Sequence, residues 1–364
     1  MRVLVFGTED LEARLKYEAL FEACPQACIQ QSTYWAEAIR QIGPDEPLFL
    51  MACEGDDAIA GLPLYYYDGP AGGILTSVPQ AGPLGGIFVR PASRREDAYA
   101  ALLEEALRIA RARRCLTLTI MSSPFEDDHD LYERFLAPDF SYQSFTQVVP
   151  LAKAVRGTEW VLPDNAERNP GRTIRKARAA GLTARLAESA EEFRRWYRIH
   201  ERRHRELSLT PLPYSLLDRL RGALFPRQRA FLQIVMAGDD VAAGCLFVHH
   251  RDICDAFIMS MNSDFAPSAP NYLLVERALF TMAARGVRIM NWQSSPRRGH
   301  GVYSFKRQWG SEERPYYFLT KLFCNRRDLM ALGAEGVRAG YPGHFVAPFD
   351  GFKCDFSRRN YRKP

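Results

Sequence analysis

Short apolar runs separated by polar turns define the sheet-forming parts of this chain. The run at 47–53 is followed by Gly55, Asp56 and Asp57 and then by a second apolar run. The same arrangement returns at 230–236, before a Gly-Asp-Asp turn at 238–240. Two extended segments joined by a short turn that contains glycine are typical of a β-hairpin. The pattern therefore predicts one hairpin in each half of the chain.

Apolar positions with helical spacing follow each predicted hairpin. In the first half, Ser93 and Glu96 have the spacing of a capping box at a helix start. In the second half, Pro270 favours the start of a helix and Gly286 favours its end. The predicted buried faces are Tyr99, Leu103, Ala106 and Ala110 in the first helix and Val275, Leu279, Met282 and Ala283 in the second.

The two halves repeat one another in order. EGDDAIAGLPLYYY from Glu54 matches AGDDVAAGCLFVHH from Ala237, and the Ser-Ser-Pro at 122–124 matches that at 294–296. Such repetition indicates two copies of one supersecondary unit. We therefore predict an α+β fold with two tandem domains, each a mixed, mostly antiparallel sheet flanked by helices. The expected segments are 1–155, 156–330 and a helical, basic tail at 331–364.

The composition indicates a folded protein without membrane-spanning segments. Of the 364 residues, 47% are hydrophobic and 25% are charged. No apolar run approaches the roughly 18 residues that a membrane span needs. The amino-terminal residues read as a first strand rather than a signal peptide, so we expect a cytoplasmic location. The eight cysteines are scattered, so we expect reduced thiols and predict no metal site.

Basic residues concentrate in the middle of the chain, although the formal net charge is only +5. The segment RTIRKARAAGL at 172–182 reads as a helix with Arg172, Arg175 and Lys176 on its exposed face. Such a face is either a solvated surface or a clamp for phosphate groups, and the sequence leaves both interpretations open. The tail FSRRNYRKP at 356–364 interleaves aromatic and basic residues, which is typical of an RNA or lipid contact and equally of a disordered end.

Two histidines lie one turn apart on a second basic helix. This helix is predicted to start at the capping pair Ser189 and Glu192. His200 and His204 have the i, i+4 spacing of helical metal ligands. Packing or hydrogen bonding is the interpretation that we favour for both.

The segment GVYSFKRQWG at 301–310 is the main candidate for chemistry. It follows a predicted strand at 287–293, so its lysine can present a fixed positive charge beside a strand end. Such a charge can stabilise the oxyanion formed in acyl transfer. We predict Lys306 as this group and Tyr303 as a proton relay. The alternative is that Phe305 and Trp309 are core residues and Lys306 is a solvated charge.

The halves differ at this position. After its Ser-Ser-Pro, the first half reads FEDDHDLYERF, which is acidic and contains no lysine. We therefore expect the second domain to be catalytic and the first to be a degenerate substrate platform.

Four stretches together resemble a known family. They are RTIRKARAAGL at 172–182, the Ser32, Tyr34 and Trp35 group, PNYLLVERAL at 270–279 and YSFKRQWG at 303–310. Their order resembles the GNAT acyltransferase superfamily, in particular its Fem-like branch with two tandem GNAT domains.

The resemblance implies transfer of an acyl or aminoacyl group to an amine. Fem-type members use aminoacyl-tRNA to extend peptidoglycan precursor peptides, and related branches are thought to use acyl-CoA or to act on envelope polysaccharides. It implies that Phe305 and Lys306 lie beside the donor and that no cofactor is bound permanently. The further substrate- or donor-binding residues that we predict are Trp309, Arg172, Arg175, Lys176, Asn271, Tyr272, Gln293, Tyr34 and Trp35.

One departure from the superfamily bears on the donor. A glycine-rich loop that binds pyrophosphate should precede the central helix, but here the second half reads MNSDFAPSAPN. Without glycines, the backbone amides are less able to surround a pyrophosphate. Acyl-CoA and aminoacyl-tRNA therefore both stay open as donors.

The sequence analysis thus predicts an N-acyltransferase that acts on an amine of a cell-envelope, polysaccharide or related precursor. The partners expected are a small-molecule, glycan or peptide amine and, with the second donor, tRNA. Peripheral contact with the inner membrane is compatible with this assignment, and the oligomeric state and the general base are not specified. The alternative is a non-catalytic RNA- or phosphoglycan-binding protein that retains the GNAT fold.

Overall fold

The computed structural model describes residues 1–40, 45–77, 84–156, 159–160, 170–295, 297–348 and 360–362. The chain divides into two compact units. Unit 1 comprises Met1–Phe145 and Pro315–Pro364, and unit 2 comprises Thr146–Arg314.

The elements alternate between strands and helices throughout. The first part of the chain forms β1 (Arg2–Phe6), α1 (Leu11–Glu22), a 3-10 helix (Ile29–Gln31), α2 (Thr33–Arg40), β2 (Glu46–Glu54), β3 (Asp57–Gly69), β4 (Gly72–Thr76), β5 (Phe88–Val89), α3 (Arg95–Ala112), β6 (Thr117–Met121), α4 (His129–Phe135) and β7 (Phe140–Pro150). Next come α5 (Leu151–Ala154), β8 (Val155–Arg156), β9 (Glu159–Trp160), α6 (Gly171–Ala179), β10 (Leu182–Leu186), α7 (Ala190–Glu206), α8 (Tyr214–Leu224), β11 (Ala230–Ala237), β12 (Asp240–His250), β13 (Ile253–Met261), a 3-10 helix (Ser263–Ser268), α9 (Pro270–Ala284), β14 (Ile289–Ser294) and α10 (Gly301–Arg307). The chain ends with β15 (Glu312–Leu322), α11 (Arg326–Gly340) and β16 (Asn360–Arg362).

Both units contain the same series of strand pairings, which confirms the predicted repeat. In unit 1, β1, β2, β3 and β4 pair antiparallel in turn, β4 pairs parallel with β6, and β6 pairs antiparallel with β15. In unit 2, β10, β11, β12 and β13 pair antiparallel in turn, β13 pairs parallel with β14, and β14 pairs antiparallel with β7. Each unit is therefore a mixed, mostly antiparallel sheet, as predicted.

The hairpin turns form at the predicted Gly-Asp-Asp positions. Glu54 pairs with Asp57, and Ala237 pairs with Asp240, so each turn has two central residues. The first central residue is Gly55 in one turn and Gly238 in the other, with φ of 61° and 58°. A positive φ at this position is the reason that glycine leads both turns.

A crossover helix joins the parallel strands of each unit and carries its core. In α3, Tyr99, Leu103 and Ala106 are fully buried against the sheet of unit 1. In α9, Leu279 and Met282 are fully buried in the core of unit 2. The predicted apolar faces are thus the buried ones except at Ala283, which is only partly buried, since apolar side chains at helical spacing align on one side.

The two predicted capping boxes have different outcomes. Ser189 Oγ accepts a hydrogen bond from Glu192 N at 3.1 Å, and Glu192 accepts one from Ser189 N at 3.3 Å, so the cap of α7 is confirmed. The box predicted at Ser93 and Glu96 is wrong, because α3 begins at Arg95 and its cap, Arg94, makes no side-chain cap hydrogen bond. Ser93 therefore lies one residue before the cap position, too early in the chain for the predicted pairing with Glu96.

The compact units divide the chain differently from the predicted segments 1–155, 156–330 and 331–364. Residues 318–322 of β15 pair with β6, so this part of the chain belongs to unit 1. Val337 and Tyr341 are buried in a cluster with Ile74, so the residues after 330 begin as part of unit 1 rather than as a separate tail. A strand-order pattern cannot reveal such a long-range pairing.

Some sequence-based predictions lie outside the described residues. Most of the basic-aromatic tail at 356–364 belongs to this group. Within the ranges given above, the search for membrane spans finds no helix with the length and apolar character to cross a bilayer.

Candidate active site in unit 2

The parallel strands of unit 2 separate soon after they pair. Ile253, Cys254 and Asp255 of β13 pair with Ile289, Met290 and Asn291 of β14. Beyond this register β13 runs on to Met261 and β14 to Ser294. The register of β13 against β12 also shifts here, with Phe257 as the extra residue of a bulge. Bulges and separating strands expose backbone and redirect side chains, which is a common setting for a binding site.

Lys306 binds the end of β14. Its ammonium lies 3.0 Å from Trp292 O, 3.1 Å from Gln293 O and 2.9 Å from Ser294 O. The side chain comes from the short helix α10, whose first turn is capped by His300 Nδ1, which accepts from Val302 N. Three consecutive carbonyl groups therefore share one buried cation, each through a charge-assisted hydrogen bond.

The environment of Lys306 is unusual for a lysine, because only 6% of its surface is exposed. Burial lowers the pKa of its ammonium to about 8, which still leaves the group charged at neutral pH. An ammonium has three protons, and each has a carbonyl partner here. In this arrangement the three protons of Lys306 are directed at carbonyl groups of the strand end.

Gln293 is the middle one of the three residues whose carbonyls bind this cation. Its φ is +60°, which is uncommon for a side chain other than glycine. Its N–H donates to Asn291 Oδ1 at 3.0 Å, and its carbonyl accepts from Lys306. A left-handed conformation costs on the order of 1–3 kcal/mol and persists when several bonds determine it, as they do here.

A buried polar network fixes Asn291 in turn. Its Nδ2 donates to Asp255 Oδ1 at 2.6 Å, and its Oδ1 accepts from Thr146 Oγ1 at 2.5 Å. Gln147, which is fully buried on β7, donates to Ser311 Oγ at 3.1 Å and accepts from Ser295 Oγ at 2.5 Å. The strand end is thus held from both neighbouring strands.

Buried polar atoms without a partner cluster on the same elements. Among the described residues, Gln293 Nε2, Trp292 Nε1 and Asn271 Oδ1 are buried and make no hydrogen bond. Gln293 and Trp292 follow the separation of β14 from β13, and Asn271 lies in the first turn of α9. Because an unpaired buried polar group costs about 1–3 kcal/mol, such atoms point to a ligand or water.

The predicted aromatic residues form the wall behind this strand end. The ring of Phe305 packs edge-on against Tyr272 and Trp292, at centroid distances of 5.3 and 5.9 Å. Tyr272 also donates to Gln308 Oε1 at 3.0 Å. Trp309 is fully buried in the core of unit 2, where a substrate cannot reach it. Trp309 thus packs in the core, and its predicted contact with the donor stays a prediction.

The hydroxyl of Tyr303 is hydrogen-bonded to the ion pair between Arg298 and Glu313. Its hydroxyl donates to Glu313 Oε1 at 2.7 Å, and the guanidinium of Arg298 binds both oxygens of that carboxylate. Burial and the hydrogen bond to Glu313 raise the pKa of Tyr303. A phenol of raised pKa is a poor proton acceptor at neutral pH, so the geometry gives little support to the predicted relay.

The predicted phosphate clamp is exposed on α6. Arg172, Arg175 and Lys176 are all exposed, while Ile174 and Ala177 are buried between them.

Two acidic residues near the site, which could act as bases, form ion pairs instead. Asp264 accepts two hydrogen bonds from the Arg202 guanidinium, and Glu276 pairs with Arg178.

The corresponding position in unit 1 is occupied by its own backbone. A Cβ on Gly85 would lie 2.3 Å from Ser77 O, just after β4, and a Cβ on Gly86 would lie 2.6 Å from Met121 O, at the end of β6. Gln31 donates to the carbonyls of both glycines, at 3.3 and 2.9 Å. The two glycines therefore fill the space at the ends of the parallel pair.

The remaining predicted residues belong to unit 1. Tyr34 is partly exposed on α2, whereas Trp35 is fully buried. Trp35 accordingly packs in the core, and a direct contact with substrate is available only to Tyr34.

Comparison with known proteins identifies both units. An Acetyltransferase (GNAT) family profile matches residues 15–137, and an Acetyltransferase (GNAT) domain profile matches residues 165–307. This chain is a tandem GNAT protein. At that general level it is an N-acyltransferase, and the predictions of fold and superfamily are confirmed.

The tandem GNAT fold is shared with several solved structures. FemX is 14% identical, with a TM-score of 0.68 over 91% of this chain and 99% of its own. L-PGS from Bacillus licheniformis is 13% identical, with a TM-score of 0.57 over 89% of this chain and 95% of its own. A tandem GNAT protein from the clavulanic acid biosynthesis pathway is 14% identical, with a TM-score of 0.53 over 89% and 99%. A search of curated protein sequences finds no match.

Several residues of the site were missed in the sequence. Asn291, Thr146 and Gln147 hold the strand end, yet each lies in an apolar, strand-like run with no motif around it. The only available signal was a set of polar residues at positions where a central strand is expected to be apolar.

We predict that Lys306→Met destabilises unit 2. The methionine has a similar length but leaves three carbonyls without their donor, at about 1–3 kcal/mol for each group that stays unpaired. We expect a loss of about 2–4 kcal/mol, measured as faster hydrogen exchange of peptides from β14 in mass spectrometry. Lys176→Met, on the exposed face of α6, is the matched control and should change stability by less than about 0.5 kcal/mol. Equal protection in both variants would contradict the structural role of the cation.

We also predict that Gly85→Ala destabilises unit 1. The new methyl group would meet the backbone oxygen of Ser77, which cannot move without disturbing β4. Exchange should increase in peptides from β4 and β6 and remain unchanged in unit 2. Gly222→Ala is the control, because nothing lies within 4 Å of its added Cβ and alanine favours a helix by about 1 kcal/mol. A Gly85→Ala protein with normal protection of β4 would show that this space is open.

Proposed function

We propose that unit 2 transfers an acyl or aminoacyl group to an amine, with the donor carbonyl at the point where β13 and β14 separate. The observation that carries the proposal is Gln293, a strained residue whose backbone is held by Asn291 and Lys306 and whose side-chain amide has no partner among the described residues. A fixed N–H donor of this kind can stabilise a developing oxyanion.

The proposed roles of Lys306 and Gln293 differ from the sequence-based ones. Lys306 is a positioning residue that keeps Gln293 in its left-handed conformation. Gln293 Nε2, in place of Lys306, donates the hydrogen bond that stabilises the oxyanion. Phe305 and Tyr272 form the apolar wall beside the donor, since both are only partly buried. Asn271, with its free Oδ1, would accept a hydrogen bond from the donor or the amine.

Aminoacyl-tRNA is the donor that we favour. The segment before α9 is a 3-10 helix without glycine, and α9 itself begins with a proline, which has no N–H to offer a phosphate. Arg172, Arg175 and Lys176 have no ion-pair partner among the described residues and could bind a polyanion. Acyl-CoA is the second candidate, because the superfamily to which both profiles belong is one of acetyltransferases.

The acceptor that we propose is an amine on a cell-envelope peptide, glycan or related precursor. Support comes from the likeness of fold to FemX and to L-PGS, which is a likeness of architecture at 14% and 13% identity. Unit 1 would serve as the substrate platform, because its own glycine backbone fills the space that a donor would need.

Incubation of the full chain with labelled donors tests the proposal. One arm contains a panel of acyl-CoAs, the other a panel of charged tRNAs, and both contain candidate amine acceptors. We expect mass spectrometry to detect an amide product in the tRNA arm. Product in the CoA arm alone would identify the second donor. Salt-sensitive tRNA binding without product from either arm would instead indicate a non-catalytic RNA-binding protein.

We predict that Gln293→Gly lowers turnover without loss of stability. Glycine adopts the left-handed conformation freely, so the fold should be unchanged or more stable by about 1 kcal/mol. Turnover should fall by about 10²–10³, which is typical for removal of one oxyanion donor. Thermal unfolding and single-turnover transfer give the two readings.

The chain offers a closely matched control for this variant. Gln228 also has a left-handed φ, of 54°, but is exposed at the end of α8. Gln228→Gly should relieve the same strain and leave turnover unchanged. If Gln293→Gly retained full turnover, the oxyanion role would have to be given up.

We predict that replacing Arg172, Arg175 and Lys176 together by Ala weakens donor binding. Because the variant has three fewer cations to neutralise phosphates, the slope of log K against log [salt] for charged tRNA should become shallower by about two. Filter binding at several salt concentrations measures this slope. Arg198→Ala, at an exposed position of α7, is the control and should leave the slope nearly unchanged. An unaltered slope in the triple variant would indicate that the face is merely solvated.

A further inference from the structure

Two histidines on α7 border the separated part of β13. His200 is buried, and its Nδ1 lies 3.2 Å from Ser260 Oγ, which is five residues beyond the last β13 residue paired with β14. His204 is one turn further along, is only partly buried, and its ring centroid lies 4.0 Å from that of His200. His200 therefore contacts β13 beyond its pairing with β14, and His204 packs against His200; these two residues and Ser260 form the histidine cluster.

The other contacts of α7 extend along the same border. Arg202 binds both oxygens of Asp264, and Glu206 accepts from Ser263 Oγ at 2.9 Å. Both partners lie in the segment that directly follows β13. The end of α7 thus runs beside the exit of β13, on the face of the sheet that Ser260 faces. The opposite face of β13 carries Met259, which packs against the core that includes α9.

The tautomer of His204 is set by the backbone. Its Nδ1 lies 3.0 Å from His200 O, and a carbonyl oxygen can only accept, so Nδ1 carries the proton. In the neutral ring the lone pair is then on Nε2. No hydrogen-bond partner of His204 Nε2 is found among the described residues. An imidazole with Nδ1–H fixed and Nε2 free is the arrangement of a general base.

His200 keeps this arrangement uncharged. Burial, with a smaller contribution from the nearby His204, lowers the pKa of His200 to about 4, so it stays neutral at physiological pH. Its Nε2 is buried without a partner in the described chain, and this is a cost that packing alone does not explain. The neutral ring of His200 therefore packs against His204 without placing a positive charge beside it.

A metal site does not account for the pair. The segment reads His-Glu-Arg-Arg-His, but Glu201 forms an ion pair with Arg205 at 2.8 Å. Over the described ranges, no group of three or more His, Cys, Asp or Glu side chains is placed to hold a metal ion.

We infer that His204 is the general base that takes the proton from the acceptor amine, with His200 and Ser260 as its positioning residues. The inference deepens the proposed function and rests on it. The amine nitrogen forms a C–N bond with the donor carbonyl carbon, and His204 Nε2 removes a proton from that nitrogen. The C–O bond of an ester donor, or the C–S bond of a thioester, then breaks, and the leaving oxygen or sulfur takes the proton from the imidazolium.

The separation of β13 from β14 makes this geometry workable. In a closed sheet the two faces are isolated, but a gap between strands connects them. Gln293 would stabilise the oxyanion from the β14 side of the gap, and His204 would act on the nitrogen from the β13 side. The oxyanion donor and the base would thus reach the same reaction centre from different sides.

His204→Asn tests the inference in the full chain. The asparagine amide can still donate to His200 O, so the helix keeps its contact, but the base is removed. We expect kcat to fall at least about 50-fold, as is typical for loss of a general base. The KM values of donor and amine should stay within about twofold. His129→Asn, at a partly buried histidine of unit 1, is the control and should keep full turnover.

Chemical rescue separates a catalytic role from a structural one. His204→Ala should recover at least tenfold in turnover when imidazole is added, whereas a packing defect would not respond. With an active wild type, either of two outcomes would overturn the inference. One is an unchanged kcat in His204→Asn. The other is a His204→Ala protein that unfolds at a lower temperature and gains no turnover from imidazole. Loss of wild-type activity in EDTA, restored by Zn²⁺, would also overturn it. A wild type that forms no product with any donor would instead remove the proposed function, and the inference with it.

Discussion

The ammonium of Lys306, bound to the carbonyls of Trp292, Gln293 and Ser294, is the interaction on which the site of unit 2 depends. A strand that leaves its neighbour must find partners for backbone groups that the sheet no longer satisfies. Water can do this on a surface, but Trp292 is buried and Gln293 half-buried, and only Ser294 is exposed. A single cation with three donors replaces the missing neighbour and leaves the gap in the sheet open.

The hydrogen bonds around Lys306 lower the free-energy cost of burying its charge. Burying a charge is unfavourable unless it is fully hydrogen-bonded, and Lys306 meets that condition with three acceptors. Asn291 and Gln147 complete the same task for the neighbouring amide and hydroxyl groups. The uncommon φ of Gln293 is therefore kept by several hydrogen bonds acting together.

The fold was readable from the sequence because its signals are local. The glycines of the hairpin turns and the apolar face of α9 each depend on neighbours within a few residues. For Lys306, the sequence predicted the location beside a strand end but not the partners. Those partners are backbone carbonyls, which every residue has, so the residue types give no sign of them. The compact units differ from the predicted segments for a related reason, since the pairing of β15 with β6 joins positions about two hundred residues apart. The cap predicted at Ser93 was wrong because the helix begins at Arg95, two residues after Ser93.

The discontinuity of unit 1 also has a consequence for the order of events during synthesis. Unit 2 is contiguous, so all of its strands have emerged from the ribosome once residue 314 is free. The sheet of unit 1 still lacks β15 at that moment, and β6 presents an unpaired edge that is prone to aberrant association. The nascent chain thus passes through a stage in which the later-encoded unit can fold first and the earlier-encoded one waits for its final strand.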